Sequence, residues 1–85
     1  MLTGNDFLDS LNKELKLKGF TTLAMTEYIR TQGYFGYACL RVTKLLAPLS
    51  IFIHNGMLCA YVGNNKVLEI HLSDPKSIDK LYELF

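Results

Sequence analysis

Residues 49–72, LSIFIHNGMLCAYVGNNKVLEIHL, decide the fold. They form three short apolar runs separated by two turn signals. Asn55-Gly56 is the stronger of these, because both residues tolerate the positive φ that a two-residue hairpin loop requires. A loop at that point sets His54 opposite Met57, Phe52 opposite Cys59 and Ser50 opposite Tyr61. A second tight turn at Asn64-Asn65 sets Val62 opposite Val67 and Ala60 opposite Glu69. The stretch therefore reads as an antiparallel meander.

Strand side chains alternate with period two, so these registers sort the sheet into two faces. One face carries Ser50, Phe52, His54, Met57, Cys59, Tyr61, Leu68, Ile70 and Leu72. The other carries Leu49, Ile51, Ile53, Leu58, Ala60, Val62, Val67, Glu69 and His71. A sheet covered on one side only reads apolar inward and polar outward. Here both faces are apolar, which leaves two explanations. Either the rest of the chain covers both faces, or one face is an interface. As an interface, Leu49, Ile51, Ile53, Leu58 and Val62 would present several hundred Å² of apolar surface, roughly what monomers rarely leave exposed. A two-fold homodimer is the natural form of such a contact.

Upstream, Phe7, Leu8, Leu11 and Leu15 place one apolar stripe on a helix over residues 5–17. Asn5 is its expected N-cap, Asp6 and Asp9 suit its first turn, and Gly19 supplies the C-terminal stop. A second helix is expected over Leu23–Gln32, capped by Thr21 or Thr22 and ended by Gly33. Residues 37–47, YACLRVTKLLA, fit two readings. As a helix they put Tyr37, Arg41 and Lys44 on a polar side, with Pro48 closing the end. As a strand they alternate Ala38, Leu40 and Val42 with Cys39, Arg41 and Thr43. The helical reading is the one adopted. Downstream, Ser73 is expected to cap a final helix with Pro75 in its first turn and Ile78, Leu81, Tyr82 and Phe85 on its apolar side.

Eighty-five residues make one domain, 1–85, with a small core: a chain of this length buries roughly 60–65% of its unfolded surface. Half the residues are apolar and the net charge is +1, so no global field draws the chain to nucleic acid or acidic lipid. No apolar run reaches the ~18 residues that span a bilayer. The N-terminus lacks a secretory pattern, so the expected compartment is the reducing cytoplasm, with Cys39 and Cys59 as free buried thiols.

The residues that carry chemistry mostly reduce to packing. Cys39, His54, Cys59 and His71 are zinc-ligand types, but no CxxC or HxxxH pair is present, and the expected register puts His71 on the face opposite His54 and Cys59. No metal and no cofactor is expected. Glu69 and His71 share a face as half of an acid–base pair, with no nucleophile beside them, and neither Ser50 nor Ser73 has an elbow or triad spacing. Gly33-Tyr34-Phe35-Gly36 lacks the spacing of a phosphate loop. Lys18-Gly19-Phe20 copies the opening of an RNA-recognition signature that Thr21 then breaks. Lys13, Lys16 and Lys18 read as a solvated helix side. These absences argue against an enzyme.

Two binding surfaces remain. Tyr34, Phe35 and Tyr37 read as aromatic anchors in a glycine-flanked loop, which suits a protein partner. Alternatively, three helices followed by a hairpin give the order of a winged helix, with Tyr37, Arg41 and Lys44 as the DNA-reading face and the Asn55-Gly56 hairpin as the wing. That wing carries no Lys or Arg to neutralise phosphates. The sequence thus reads as an α+β domain: N-terminal helices, a three- or four-stranded antiparallel meander, and a C-terminal helix. Its expected role is a small non-enzymatic protein-binding module that self-associates, of the kind a phage or plasmid uses to inhibit a host factor. The alternative is a winged-helix-like DNA-binding regulator.

Overall fold

The computed structural model describes residues 6–29, 34–44 and 47–85, with side chains described over 6–24, 39–43 and 48–85. The chain runs α1 (Asp6–Leu17), β1 (Thr21–Ile29), β2 (Tyr34–Lys44), β3 (Ala47–His54), β4 (Met57–Val62), β5 (Asn65–His71) and α2 (Ser77–Tyr82). The strands form a five-stranded antiparallel sheet in sequence order, so β1 and β5 are its edges.

α1 forms where the periodicity places it. Leu8, Leu11 and Leu15 are buried on one stripe, and Asp6 and Asp9 sit in the first turn. The expected cap at Asn5 lies outside the described residues. At the other end, the Phe20 amide donates to the Leu15 carbonyl at 3.0 Å and the Gly19 amide to the Lys16 carbonyl at 3.1 Å. With Gly19 at φ +90°, this is the paired bond pattern of a Schellman stop. The turn reverses the chain directly into β1. Asn12, buried on the same helix, accepts a hydrogen bond from the Thr22 hydroxyl and ties the helix to that strand.

Two expectations are overturned here. The second helix over 23–32 is instead β1, with 30–33 outside the described residues, and residues 37–44 are strand β2. β1 pairs with β2 from Thr21↔Thr43 to Ile29↔Tyr34, with Gly36 as an extra residue where Glu27↔Tyr37 gives way to Tyr28↔Phe35. The physical reason is mutual: three threonines in β1 and the alternation of Leu40 and Val42 against Cys39, Arg41 and Thr43 favour extended chain, and each strand satisfies the other's backbone. Pro48 does not end a helix; it lies in β3 opposite Thr43. Among the described residues the sheet therefore has five strands rather than three or four, and one helix, not several, precedes it.

The β3–β4 hairpin takes the expected register, His54↔Met57 through Ser50↔Tyr61, around Asn55 (φ +50°) and Gly56 (φ +73°). The next turn differs. It sits at Gly63-Asn64, one residue earlier than expected, because Gly63 takes the positive φ (+60°) at the first central position. Between Tyr61↔Lys66 and Ala60↔Leu68 the pairing then skips Val67. This bulge sends Leu68 and Ile70 to the Leu58 face, and Glu69 and His71 to the Cys59 face. Both assignments are the reverse of the sequence reading, as a one-residue slip requires.

The helices share one face. α1 packs against β1, β2 and β3, and α2 against β5. Their core gathers Leu8, Leu11, Leu15, Leu40, Val42, Leu49, Ile51, Leu58, Ala60 and Leu81. α2 is shorter than expected. The Asp74 carboxylate, rather than Ser73, accepts a local bond, from the Lys76 amide at 2.8 Å, and Phe85 lies beyond the helix. The Phe85 ring packs at a tilt, its centre 5.1 Å from that of Phe20 and 5.7 Å from that of Tyr82, with the Lys18 ammonium 4.3 Å from the Tyr82 ring centre. The chain end is thereby closed onto the exit of α1.

A Cβ at Gly19 would meet nothing within 4 Å, so replacing it costs only backbone strain. Gly19→Ala is expected to lower stability by about 1–2 kcal/mol, and Gly19→Asn by less. Denaturant midpoints with unchanged slopes would check this.

Candidate functional site

The face opposite the helices is closed by the chain itself. Cys39, Phe52, Cys59 and Tyr61 form a second core cluster, each with no exposed surface, and Met57 packs against it. The Phe52 and Tyr61 rings meet edge to face at 5.8 Å. Around this centre lie Arg41, opposite both Leu23 and Ser50, and His54, whose Nε2 is 3.3 Å from the Asn55 amide nitrogen. On the β5 side the Lys66 ammonium pairs with the Glu69 carboxylate and lies 5.9 Å from the Tyr61 ring centre.

This placement sorts the expected site residues. Leu49, Ile51 and Leu58, expected in a partner-binding sheet face, are 5%, 0% and 0% exposed beneath the helices. Ile53 and Val62 pack at the margin of the same core. They are core residues, because α1 and α2 occupy the face they line. Tyr34, Phe35 and Tyr37 belong to β2 rather than to a loop, beside the Gly36 bulge, and their side chains lie outside the described residues. Arg41 and Lys44 lie on the same strand, Lys44 opposite Ala47, so no third helix exists to present them with Tyr37 to a DNA groove. The winged-helix arrangement is overturned on that ground.

The cysteines and histidines are rearranged as well. Cys39 and Cys59 both flank Phe52, which puts them two strands apart, about 10 Å. A disulfide needs Cα atoms within about 7 Å, so these free thiols cannot bridge. The β5 bulge brings His71 to the face of His54 and Cys59, in the row His54, Met57, His71, contrary to the expected separation. Even so, among the described residues no group of three His, Cys, Asp or Glu side chains converges on a metal position. Glu69 and His71 remain on one face, both exposed, and the Glu69 carboxylate is engaged by Lys66. The shifted acid is elsewhere: burial, with the Glu14 carboxylate beside it, raises the Tyr82 phenol above its ordinary value, and Lys18 opposes the rise. No pocket lies among the described residues, and no helix is long and apolar enough to cross a membrane.

With the centres of both faces buried, the two sheet edges remain, and they differ. β5 carries a bulge, the Lys66–Glu69 pair and a polar start at Asn65, all devices that discourage strand addition. β1 is nine residues long and carries one charged residue, Glu27, and no proline. Its Leu23 is 56% exposed. No strand lies along the outer side of β1 among the described residues. The sequence reading missed this edge because it took the segment for a helix; the recurring threonines were the available signal.

If the second face is core, truncating its largest apolar ring must cost as much as a conventional core deletion. Phe52→Ala is expected to destabilise by about 3–5 kcal/mol, against under about 0.5 kcal/mol for Leu23→Ala. Chemical denaturation of the two variants would measure both.

No family model matches the chain, and no curated protein or solved structure matches it.

Proposed function

We propose that the protein is a non-enzymatic binding module that acts by protein–protein contact through the outer edge of β1. One observation carries the reading: the centres of both sheet faces are buried within the chain, whereas β1 is nine residues long, carries one charged residue and has no strand along its outer side among the described residues. An extended segment adding to such an edge gains backbone hydrogen bonds at every second residue, with side-chain pockets setting the choice of partner. Strand addition needs no deep cleft and no catalytic group. The near-neutral charge suits it too, since neither steering nor repulsion dominates the encounter.

The test is site-specific photo-crosslinking in the cells that make the protein, with benzoylphenylalanine at Leu23 or at Val67. Both positions are exposed, but they lie on opposite edges. The expected result is a protein adduct from position 23 and none from position 67. Equal labelling from both, or none from either, would contradict the reading.

A further inference from the structure

The Asn55-Gly56 turn brings reactive groups together as well as setting the register. We propose that Asn55 is a self-modification site: the Gly56 backbone nitrogen closes on the Asn55 side-chain amide, and His54 gives a proton to the departing ammonia. The co-reactant is water, and the products carry aspartate or isoaspartate at position 55. This chemistry does not depend on β1 being the binding edge.

Three features meet at this turn. First, the nucleophile is open. Asparagine is among the thermolabile residues, and a following glycine puts no side chain in the way of ring closure. Gly56 is exposed, and a Cβ built there would meet nothing within 4 Å, so no other part of the chain crowds it. The hydrogen bond that closes such a turn uses the Met57 amide, not that of Gly56. Second, the leaving group has a proton carrier beside it: His54 Nε2 lies 3.3 Å from the Asn55 amide nitrogen. Imidazole is the side chain best suited to proton transfer near neutral pH. Third, the turn is an exposed hairpin tip, where local opening is easiest. Ring closure needs rotation about the Asn55 Cα–C bond, which the closed turn resists, so each event follows an opening. The Leu72 amide, donating to the Gly56 carbonyl at 2.8 Å, braces the turn and keeps openings rare.

In the reaction the Gly56 nitrogen releases its proton to water and bonds to Asn55 Cγ. The tetrahedral centre expels the side-chain nitrogen, which takes a proton from His54 Nε2 and leaves as ammonia, giving a succinimide. Water then breaks one of the two imide C–N bonds, and His54 regains its proton from water. Opening at Cγ gives aspartate; opening at the backbone carbonyl carbon gives isoaspartate. The two products differ in consequence. Asp-Gly is also a hairpin pair, so aspartate keeps the register. Isoaspartate routes the backbone through the side-chain methylene and lengthens the loop, so the turn no longer holds His54 opposite Met57. The buried sets on β3 and β4 then lose the turn that aligns them, and the modification acts as a one-way switch on stability.

Incubation of the purified full chain in neutral buffer at body temperature, sampled over weeks, tests the proposal. The tryptic peptide 45–66 also contains Asn64 and Asn65, which have no glycine after them and serve as internal controls. Electron-transfer fragmentation is expected to place the amide-to-acid mass gain at Asn55, with isoaspartate among the products, and not at Asn64 or Asn65. His54→Gln should slow the reaction by about threefold or more, short of the roughly 100-fold of a preorganised acid. Hydrogen exchange of the Met57 amide, which reports turn opening, should be unchanged in that variant. The isoaspartate fraction, separated by chromatography, should unfold at lower denaturant than the Asn55→Asp variant. No mass gain, or a gain at Asn64 or Asn65 as fast as at Asn55, would overturn the site. A His54→Gln chain that reacts at the parental rate would overturn the proton transfer, as would Met57 exchange that slows in step with the reaction. An isoaspartate chain as stable as Asn55→Asp would overturn the switch.

Discussion

A hairpin that is apolar on both faces needs two covers, and that requirement organises the rest of the chain. β3 and β4 place Leu49, Ile51, Leu58 and Ala60 on one side and Phe52, Cys59 and Tyr61 on the other, all buried. The Asn55-Gly56 turn fixes their register, since a slip of one residue would exchange the two sets. On the first side the cover is helical. α1 brings Leu8, Leu11 and Leu15, and α2 brings Leu81. On the second side the sheet closes around its own cluster. A domain this small has only one short chain to divide between two cores.

That allocation shapes the functional reading. The described apolar side chains at the centre of both faces are buried, and the sheet's margins are its two edge strands, β1 and β5. The two edges are treated differently. β5 carries the Val67 bulge and the Lys66–Glu69 pair; β1 pairs with β2 in unbroken register from Thr21 to Glu27 and has one charged residue. A long edge with few charges is of the kind that favours strand pairing.

Much of the architecture was legible in the sequence, and the failures have physical causes. α1 was readable because three signals coincide: the leucine stripe, the acidic first turn and Gly19. The β3–β4 register followed from Asn55-Gly56 alone. β1 and β2 were misread because short segments such as Leu23–Ile29 fit both a 3.6-residue and a two-residue period, and tertiary pairing decides between them. The β5 faces were inverted because Gly63 moves the turn by one residue and the bulge at Val67 absorbs the difference locally. That inversion also removed the sequence-level reason for separating His71 from His54. The β1 edge is hidden by the same misreading that hides β1: an edge exists only once the sheet order is known.

A single chain buries the centres of both faces of its sheet. Solvent paramagnetic relaxation enhancement, recorded by nuclear magnetic resonance on dilute monomer, tests it most directly. Side-chain protons of Phe52, Cys59 and Tyr61 are expected to be as protected from the soluble probe as those of Leu58, while the Leu23 methyls broaden strongly. Phe52 and Tyr61 broadening as much as Leu23 would contradict it, because the second face would then be open to solvent.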